Sequence, residues 1–204
     1  MVLYLGDLAN LKNGLNLVPE HYASVYTNLR KHTEIIQKNI MMKLYKRIDS
    51  AIHFWETWDI NEKKGAIHKG IVGKRGEYRE VSSKLFSSFR KEIQKEIDDY
   101  CKDGYQEVEI EDHSTLLIEF LVDGMGTKED VEKRTRLQDK MDDVLGWTGL
   151  GHCDGGSIGS GTMEVCCYVI DFETAKSVIQ ESLKNTEFSN YTRIFEEIEE
   201  YDEE

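Results

Sequence analysis

The feature that most constrains the fold is residues 147–171, which read W-T-G-L-G-H-C-D-G-G-S-I-G-S-G-T-M-E-V-C-C-Y-V-I-D. A glycine-rich segment is followed by an apolar run that stops at Asp171. Val, Ile, Tyr and Cys between turn residues are typical of a strand. The pattern therefore predicts a hairpin with arms over 149–154 and 163–170, joined by a turn within 155–161.

The segments on either side of the hairpin complete an alternating pattern. The nearly continuous apolar run S-T-L-L-I-E-F-L-V predicts a strand over 114–122. Periodic apolar residues predict helices over 128–145 and 172–183, and a last strand is predicted over 191–195. The order strand, helix, hairpin, helix, strand predicts an α+β fold. Specifically, we expect a ferredoxin-like α/β sandwich with one antiparallel sheet and both helices on one face.

The first half of the chain has a different periodicity. Apolar residues recur in steps of three and four, first from Tyr22 to Trp55 and again from Tyr78 to Tyr100. Such stripes are typical of amphipathic helices. Residues 1–104 are therefore predicted to be a mainly α-helical region with two long amphipathic helices, joined by a basic, glycine-rich loop at 59–76 that could hold a short strand at 66–72. Residues 105–204 are predicted to be a separate ferredoxin-like acidic domain with an acidic tail.

The distribution of charge supports the same division. The chain has a formal net charge of -13. Residues 1–104 contain 18 Lys and Arg against 14 Asp and Glu, whereas residues 105–204 contain 8 against 25. Such an acidic half repels nucleic acid and attracts basic proteins. We therefore expect a protein partner and no nucleic-acid partner.

The compartment follows from two further observations. No run of 18 apolar residues is present, so no membrane segment is expected. The start M-V-L-Y-L-G-D lacks the basic region of a secretory signal, so we expect a cytoplasmic protein. In that compartment the four cysteines are expected to be reduced thiols. They are Cys101, Cys153, Cys166 and Cys167.

Candidate chemical groups are few. The glycines of 155–161 precede a strand instead of opening a helix, which argues against a nucleotide-binding loop and for a hairpin turn. His152 and Cys153 could begin a metal site or supply a thiol nucleophile, but no C-x-x-C or H-x-x-x-H spacing accompanies them. A small cytosolic enzyme that uses His152 and Cys153 as a thiol or metal site therefore remains an alternative. The sequence implies no cofactor.

A signature in the second half resembles a known family. It consists of G-W-T-G-L-G at a helix end, then C-D-G-G-S-I-G-S-G, a strand ending in V-I-D, and F-E-T-A-K-S-V-I-Q-E-S-L. Residues 116–197 resemble small ferredoxin-like proteins found beside bacterial polymorphic toxins, including immunity proteins of contact-dependent growth inhibition systems. The resemblance implies a protein that works by binding, with no active-site residues and no cofactor.

Together, the resemblance and the charge predict an immunity protein that neutralises a cognate bacterial toxin. Because nucleases are usually basic, the expected partner is a nuclease whose active site or substrate surface is blocked. The expected interface lies on the last turns of one helix and on the hairpin; it comprises Asp139, Asp142, Asp143, Asp154 and Glu164. A second alternative is a helical module that forms a homodimer through the stripe from Tyr22 to Trp55.

Overall fold

The computed structural model describes residues 41–85 and 87–197. The described residues all belong to one unit of the chain, Met41–Glu204. They form eight strands and three α-helices, which are numbered here in chain order. Among them, no α-helix combines the length and the apolar character that crossing a bilayer requires.

The N-terminal sheet is an antiparallel meander in the order β1-β2-β3-β4. Its strands are β1 (Met42–Ile48), β2 (Ala51–Asn61), β3 (Lys64–Ile71) and β4 (Glu77–Ser82). Helix α1 (Phe89–Lys102) begins at the N-cap Ser88 and buries Phe89, Ile93 and Ile97. These side chains pack closely on β3, because a Cβ added at Gly65 would lie 2.7 Å from the Ile93 side chain. The helix therefore covers one face of the sheet.

The C-terminal sheet is also antiparallel and has the order β6-β7-β5-β8. Its strands are β5 (Ser114–Leu121), β6 (Gly151–Gly159), β7 (Thr162–Val169) and β8 (Arg193–Glu197). Helices α2 (Lys128–Trp147) and α3 (Phe172–Leu183) bury their apolar stripes in one cluster with alternate residues of β7. This cluster is the main core; the β7 residues in it are Met163, Val165, Cys167 and Val169.

The two sheets share this core. Tyr45 and Phe54 of the N-terminal sheet belong to the same buried cluster as the C-terminal sheet and its helices. The backbone N–H of Gly76 donates to Trp147 O (3.2 Å), and that of Gly73 donates to Thr148 O (2.9 Å). The end of α2 is therefore held against the loop between β3 and β4.

The predicted fold class is wrong, because a second antiparallel sheet occupies residues 42–82, where two helices and a connecting loop were expected. The predicted description, a ferredoxin-like sandwich preceded by a long helical region, does not fit this architecture. The stripe from Tyr22 to Trp55 falls partly on residues 1–40, which lie outside the described residues, and partly on β1 and β2. The stripe from Tyr78 to Tyr100 is divided between β4 and α1. The predicted boundary at residue 104 stays a prediction.

The physical reason for this error is that both faces of the N-terminal sheet are covered. Buried side chains therefore occur in adjacent positions, as with Leu44 and Tyr45 or Phe54 and Trp55. A strand buried on both faces loses the alternation that identifies a strand, and its apolar residues then fit a helical spacing by chance. The turn at Asp49, with φ 53°, separates β1 from β2. Asp adopts this left-handed conformation more readily than most residues.

Elements of the second half lie closer to their predicted bounds. Strand β5 and helix α3 agree with the strand over 114–122 and the helix over 172–183, and α2 extends two residues beyond the predicted end. The predicted hairpin is present, and its turn at 160–161 lies within the predicted range 155–161. Its first arm ends later than predicted, because β6 continues through the glycines to Gly159. Glycine suits this strand, since a Cβ at Gly156 would lie 2.1 Å from the backbone oxygen of Glu164 on β7.

Candidate functional site

A cleft of about 1090 Å³ lies where the N-terminal sheet approaches the end of α2. Strands β1, β2 and β3 contribute to its lining, as do the second half of α2, the start of β6 and residues 107–109. Its volume exceeds that of a second pocket of about 390 Å³ beside α3. Because it collects residues from distant parts of the chain, it is the first candidate for a functional site.

The lining of this cleft is strongly acidic. Six carboxylates contribute to it, against the single lysine Lys43. They are Glu56, Glu107, Glu109, Asp139, Asp142 and Asp143. Three of them follow from helix geometry, because Asp139, Asp142 and Asp143 are spaced at i, i+3 and i+4 and share one exposed face of α2. The buried face of the same helix carries Leu137, Met141 and Leu145.

Most of these carboxylates are not neutralised within the described part of the chain. There, Asp139, Asp143, Glu107 and Glu109 take part in no ion pair. Asp142 accepts a hydrogen bond from the backbone N–H of Cys153 at 3.0 Å. The cleft therefore presents a concentrated negative field to solvent.

Glu56 is the carboxylate that is committed to internal contacts. Its Oε1 accepts a hydrogen bond from Nδ1 of the buried His68 at 2.7 Å, and its Oε2 lies 3.2 Å from Lys43 Nζ. The Nε2 atom of His68 is buried and has no hydrogen-bond partner among the described residues. A Cβ added at Gly76 would lie 2.4 Å from this Nε2. The hydrogen bond between Glu56 and His68 resembles that of a catalytic carboxylate–histidine pair. However, Gly76 covers Nε2 of the imidazole, so a substrate cannot reach this nitrogen.

Aromatic rings surround this buried histidine. The ring centroids of Trp58 and Trp147 lie 6.4 and 5.1 Å from that of His68, and Tyr78 lies 5.8 Å from Trp147. Both tryptophans also line the cleft. The guanidinium of Arg75 lies 5.1 Å from the Trp147 ring centroid, so this ring already accepts a cation.

Three of the five predicted interface residues meet in the cleft. Asp139, Asp142 and Asp143 line it, whereas Asp154 and Glu164 do not. Asp154 is the extra residue at the irregularity of β6, between Cys153 and Gly155. Glu164 accepts a hydrogen bond from Ser157 on the sheet face away from the helices. Whether any of the five contacts a partner stays a prediction.

Strand geometry separates the two residues of the alternative site, His152 and Cys153. Neighbouring residues on a strand point to opposite faces. The His152 ring lies 5.7 Å from Tyr168, while the Cys153 thiol packs against the core and donates to Cys166 O at 3.2 Å. No hydrogen bond joins the two side chains in the part of the chain that is described. Within the same residues, no group of three His, Cys, Asp or Glu side chains could hold a metal ion.

Sequence reasoning missed the cleft residues of the N-terminal sheet. Glu56, Trp58 and His68 were read as parts of a helix and a loop, so no signal placed them beside α2. The run H-F-W-E-T-W, rich in aromatic residues, could have indicated a strand.

No protein-family model, curated protein or solved structure matches this chain.

Proposed function

We propose that this protein is a cytoplasmic binding protein that receives a basic segment of another protein in the acidic cleft. Following the resemblance of residues 116–197, the partner is a bacterial toxin, and this chain is the immunity protein that neutralises it. The observation that carries the proposal is the composition of the cleft lining, which has six carboxylates, two tryptophans and one lysine.

The lining supports recognition of Arg and Lys side chains in two ways. Carboxylates without internal cations attract a basic surface over a long range and accelerate association. Tryptophan rings supply contact area and interact favourably with a guanidinium or ammonium group once water is displaced. A site with only carboxylates would bind cations loosely, whereas the rings add a shape that a side chain can fill.

The same features support inhibition of a nuclease in particular. An enzyme that cleaves nucleic acid needs a basic surface for the phosphate backbone. An acidic protein that occupies this surface, or the active site next to it, excludes the substrate without any chemical step of its own. No catalytic group and no cofactor of this chain enter the proposal.

Charge reversal in the cleft tests the proposal. The partner is first isolated by co-purification at low and high salt and identified by mass spectrometry. Association rates are then measured for the wild type, for Asp139→Lys with Asp143→Lys, and for a control with the same change in net charge outside the cleft, Glu62→Lys with Asp123→Lys. We expect the cleft variant to associate at least tenfold more slowly, with a weaker dependence on salt.

Fluorescence distinguishes binding in the cleft from binding elsewhere. Of the three tryptophans, Trp58 and Trp147 line the cleft and Trp55 is fully buried. Partner binding should therefore change the emission of the wild type, and much of this change should disappear in Trp147→Phe. Equal association rates for the cleft and control variants would contradict the proposed site, and the absence of any basic partner would contradict the proposed function.

A further inference from the structure

Cys153 and Cys167 lie opposite each other on the neighbouring strands β6 and β7. Both side chains are on the sheet face that carries the helices. Cys167 belongs to the core cluster and has no exposed surface, whereas Cys153 packs against the cluster from its edge. None of the contacts proposed above for partner recognition uses these two thiols.

The separation of such a pair suits a disulfide bond. Directly opposed residues of an antiparallel pair have Cα atoms about 4.5–5.5 Å apart. A disulfide requires Cα atoms about 4.4–6.8 Å apart and side chains that point to the same side. The Cys153 thiol already points toward β7, since its Sγ lies 3.2 Å from Cys166 O. The bond can therefore form without a rearrangement of the strands.

The two thiols differ in access and in acidity. Cys153 is half-buried and lines the cleft, so a small molecule reaches it, while Cys167 is closed to solvent. A hydrogen bond from the Cys167 thiol lowers the pKa of Cys153, although burial and the carboxylates of Asp142 and Asp154 oppose this effect. The same hydrogen bond, together with burial, raises the pKa of Cys167. Cys153 is therefore the thiol that ionises and meets an oxidant first.

We propose that Cys153 and Cys167 form a dithiol that hydrogen peroxide oxidises to an intramolecular disulfide, in which Cys153 attacks the peroxide and Cys167 resolves the intermediate. The Cys153 thiolate attacks one oxygen of the peroxide, the O–O bond breaks, and one water leaves after protonation, which gives a sulfenic acid. The Cys167 sulfur then attacks the Cys153 sulfur, the S–O bond breaks, and a second water leaves. Two thiols lose two electrons in total, and the peroxide gains them.

The nearby cysteines provide internal controls. Cys166 lies within β7 and points to the opposite face of the sheet from Cys167. Burial raises the pKa of its thiol. Cys101 is exposed near the end of α1 and outside the cleft. Neither residue faces Cys153 across the strand pair, so each reports what a cysteine does without the proposed geometry.

The experiment uses the full chain, reduced and then exposed to stoichiometric hydrogen peroxide. Remaining thiols are alkylated, and the protein is cleaved after Glu164, which separates Cys153 from Cys166 and Cys167. If a disulfide has formed, it links these two peptides. Loss of the link in Cys166→Ser or in Cys167→Ser shows which of the two cysteines is bonded to Cys153. We expect the linkage in the wild type, Cys101→Ser and Cys166→Ser, and a loss of at least tenfold in Cys153→Ser and Cys167→Ser.

Trapping of the sulfenic acid intermediate gives a second measurement, which does not depend on the disulfide itself. Dimedone, which traps sulfenic acids, should label Cys153 strongly in Cys167→Ser and weakly in the wild type, where the second thiol consumes the intermediate. Linkage through Cys166, linkage between molecules through Cys101, or oxidation of all four thiols at equal rates in the wild type would overturn the proposal.

Discussion

At the scale of single residues, Gly149 shows how tightly the two sheets are joined. It follows the end of α2 with φ +66°, and a Cβ there would lie 2.2 Å from Cδ1 of Phe54. Gly149→Ala therefore combines a left-handed conformation with a collision in the core. We expect a loss of at least about 2 kcal/mol in the free energy of unfolding, measured by urea titration.

Gly146 provides the matched control, three residues earlier in the same chain segment. It lies within α2, and a Cβ there would meet no atom within 4 Å. Gly146→Ala should raise the free energy of unfolding by about 0.5–1 kcal/mol, because alanine favours a helix. Equal effects of the two substitutions would show that the collision with Phe54 is relieved at little cost.

The candidate site also shows what single residues disclose in a sequence. The spacing of Asp139, Asp142 and Asp143 placed them on one helix face, and the structure brings them into the cleft. Asp154 and Glu164 had the same charge but face elsewhere. Glu56 and Trp58 could not be assigned to the site, because their position depends on a sheet that pairs four separate strands. Local spacing determines a helix face, whereas tertiary packing determines what that face meets.

At the scale of elements, α2 begins with signals that the sequence carries locally. Thr127 Oγ1 accepts from the backbone N–H of Asp130 (3.2 Å), and Asp130 Oδ2 accepts from that of Thr127 (2.8 Å). Thr127→Ala should cost about 1 kcal/mol of stability at pH 7 by chemical denaturation. Thr135→Ala, at an exposed position inside the same helix, should change the stability by much less than the cap substitution.

This cap also has a defined pH dependence. The hydrogen bonds from Thr127 lower the pKa of Asp130 below its unfolded value of 3.8. A lowered carboxyl pKa contributes stability above the unfolded value and loses it as the pH falls through the folded value. The difference between the wild type and Thr127→Ala should therefore be full at pH 7 and smaller at pH 3. A difference that grew on acidification would contradict this assignment.

The elements of the N-terminal sheet had weaker local signals. Its strands are covered by α1 on one face and by the shared core on the other, so apolar residues follow one another instead of alternating. Helix α1 was predicted to begin near Tyr78, but Ser88 caps it ten residues later. Sequence reasoning recognises an element best when one of its faces meets solvent, as on α2 and α3.

At the scale of the whole molecule, the shared core predicts that both sheets unfold together. In Trp147→Phe, the fluorescence of Trp55 and Trp58 reports on the N-terminal sheet, and far-ultraviolet circular dichroism reports on all three helices. In urea, the two signals should change in one coincident transition. Phe54→Ala should lower the free energy of unfolding by about 3–5 kcal/mol and keep the transitions coincident. Two separate transitions would instead support independent units on either side of residue 104.

The contact between α2 and the loop of the N-terminal sheet restricts how this protein can change in evolution. The amides of Gly73 and Gly76 satisfy carbonyl groups that the carboxyl end of a helix would otherwise leave open. One residue inserted in the last turn would rotate the helix by about 100° and withdraw Trp147 and Thr148 from these amides. The amino end of α2 is closed by side chains of its own first turn, and the loop before it is tied to the turn between β6 and β7, because Gly161 N–H donates to Gly124 O at 2.7 Å. Insertions and deletions should therefore be rare in the last turn of α2, and the cleft beside it should diversify by substitution.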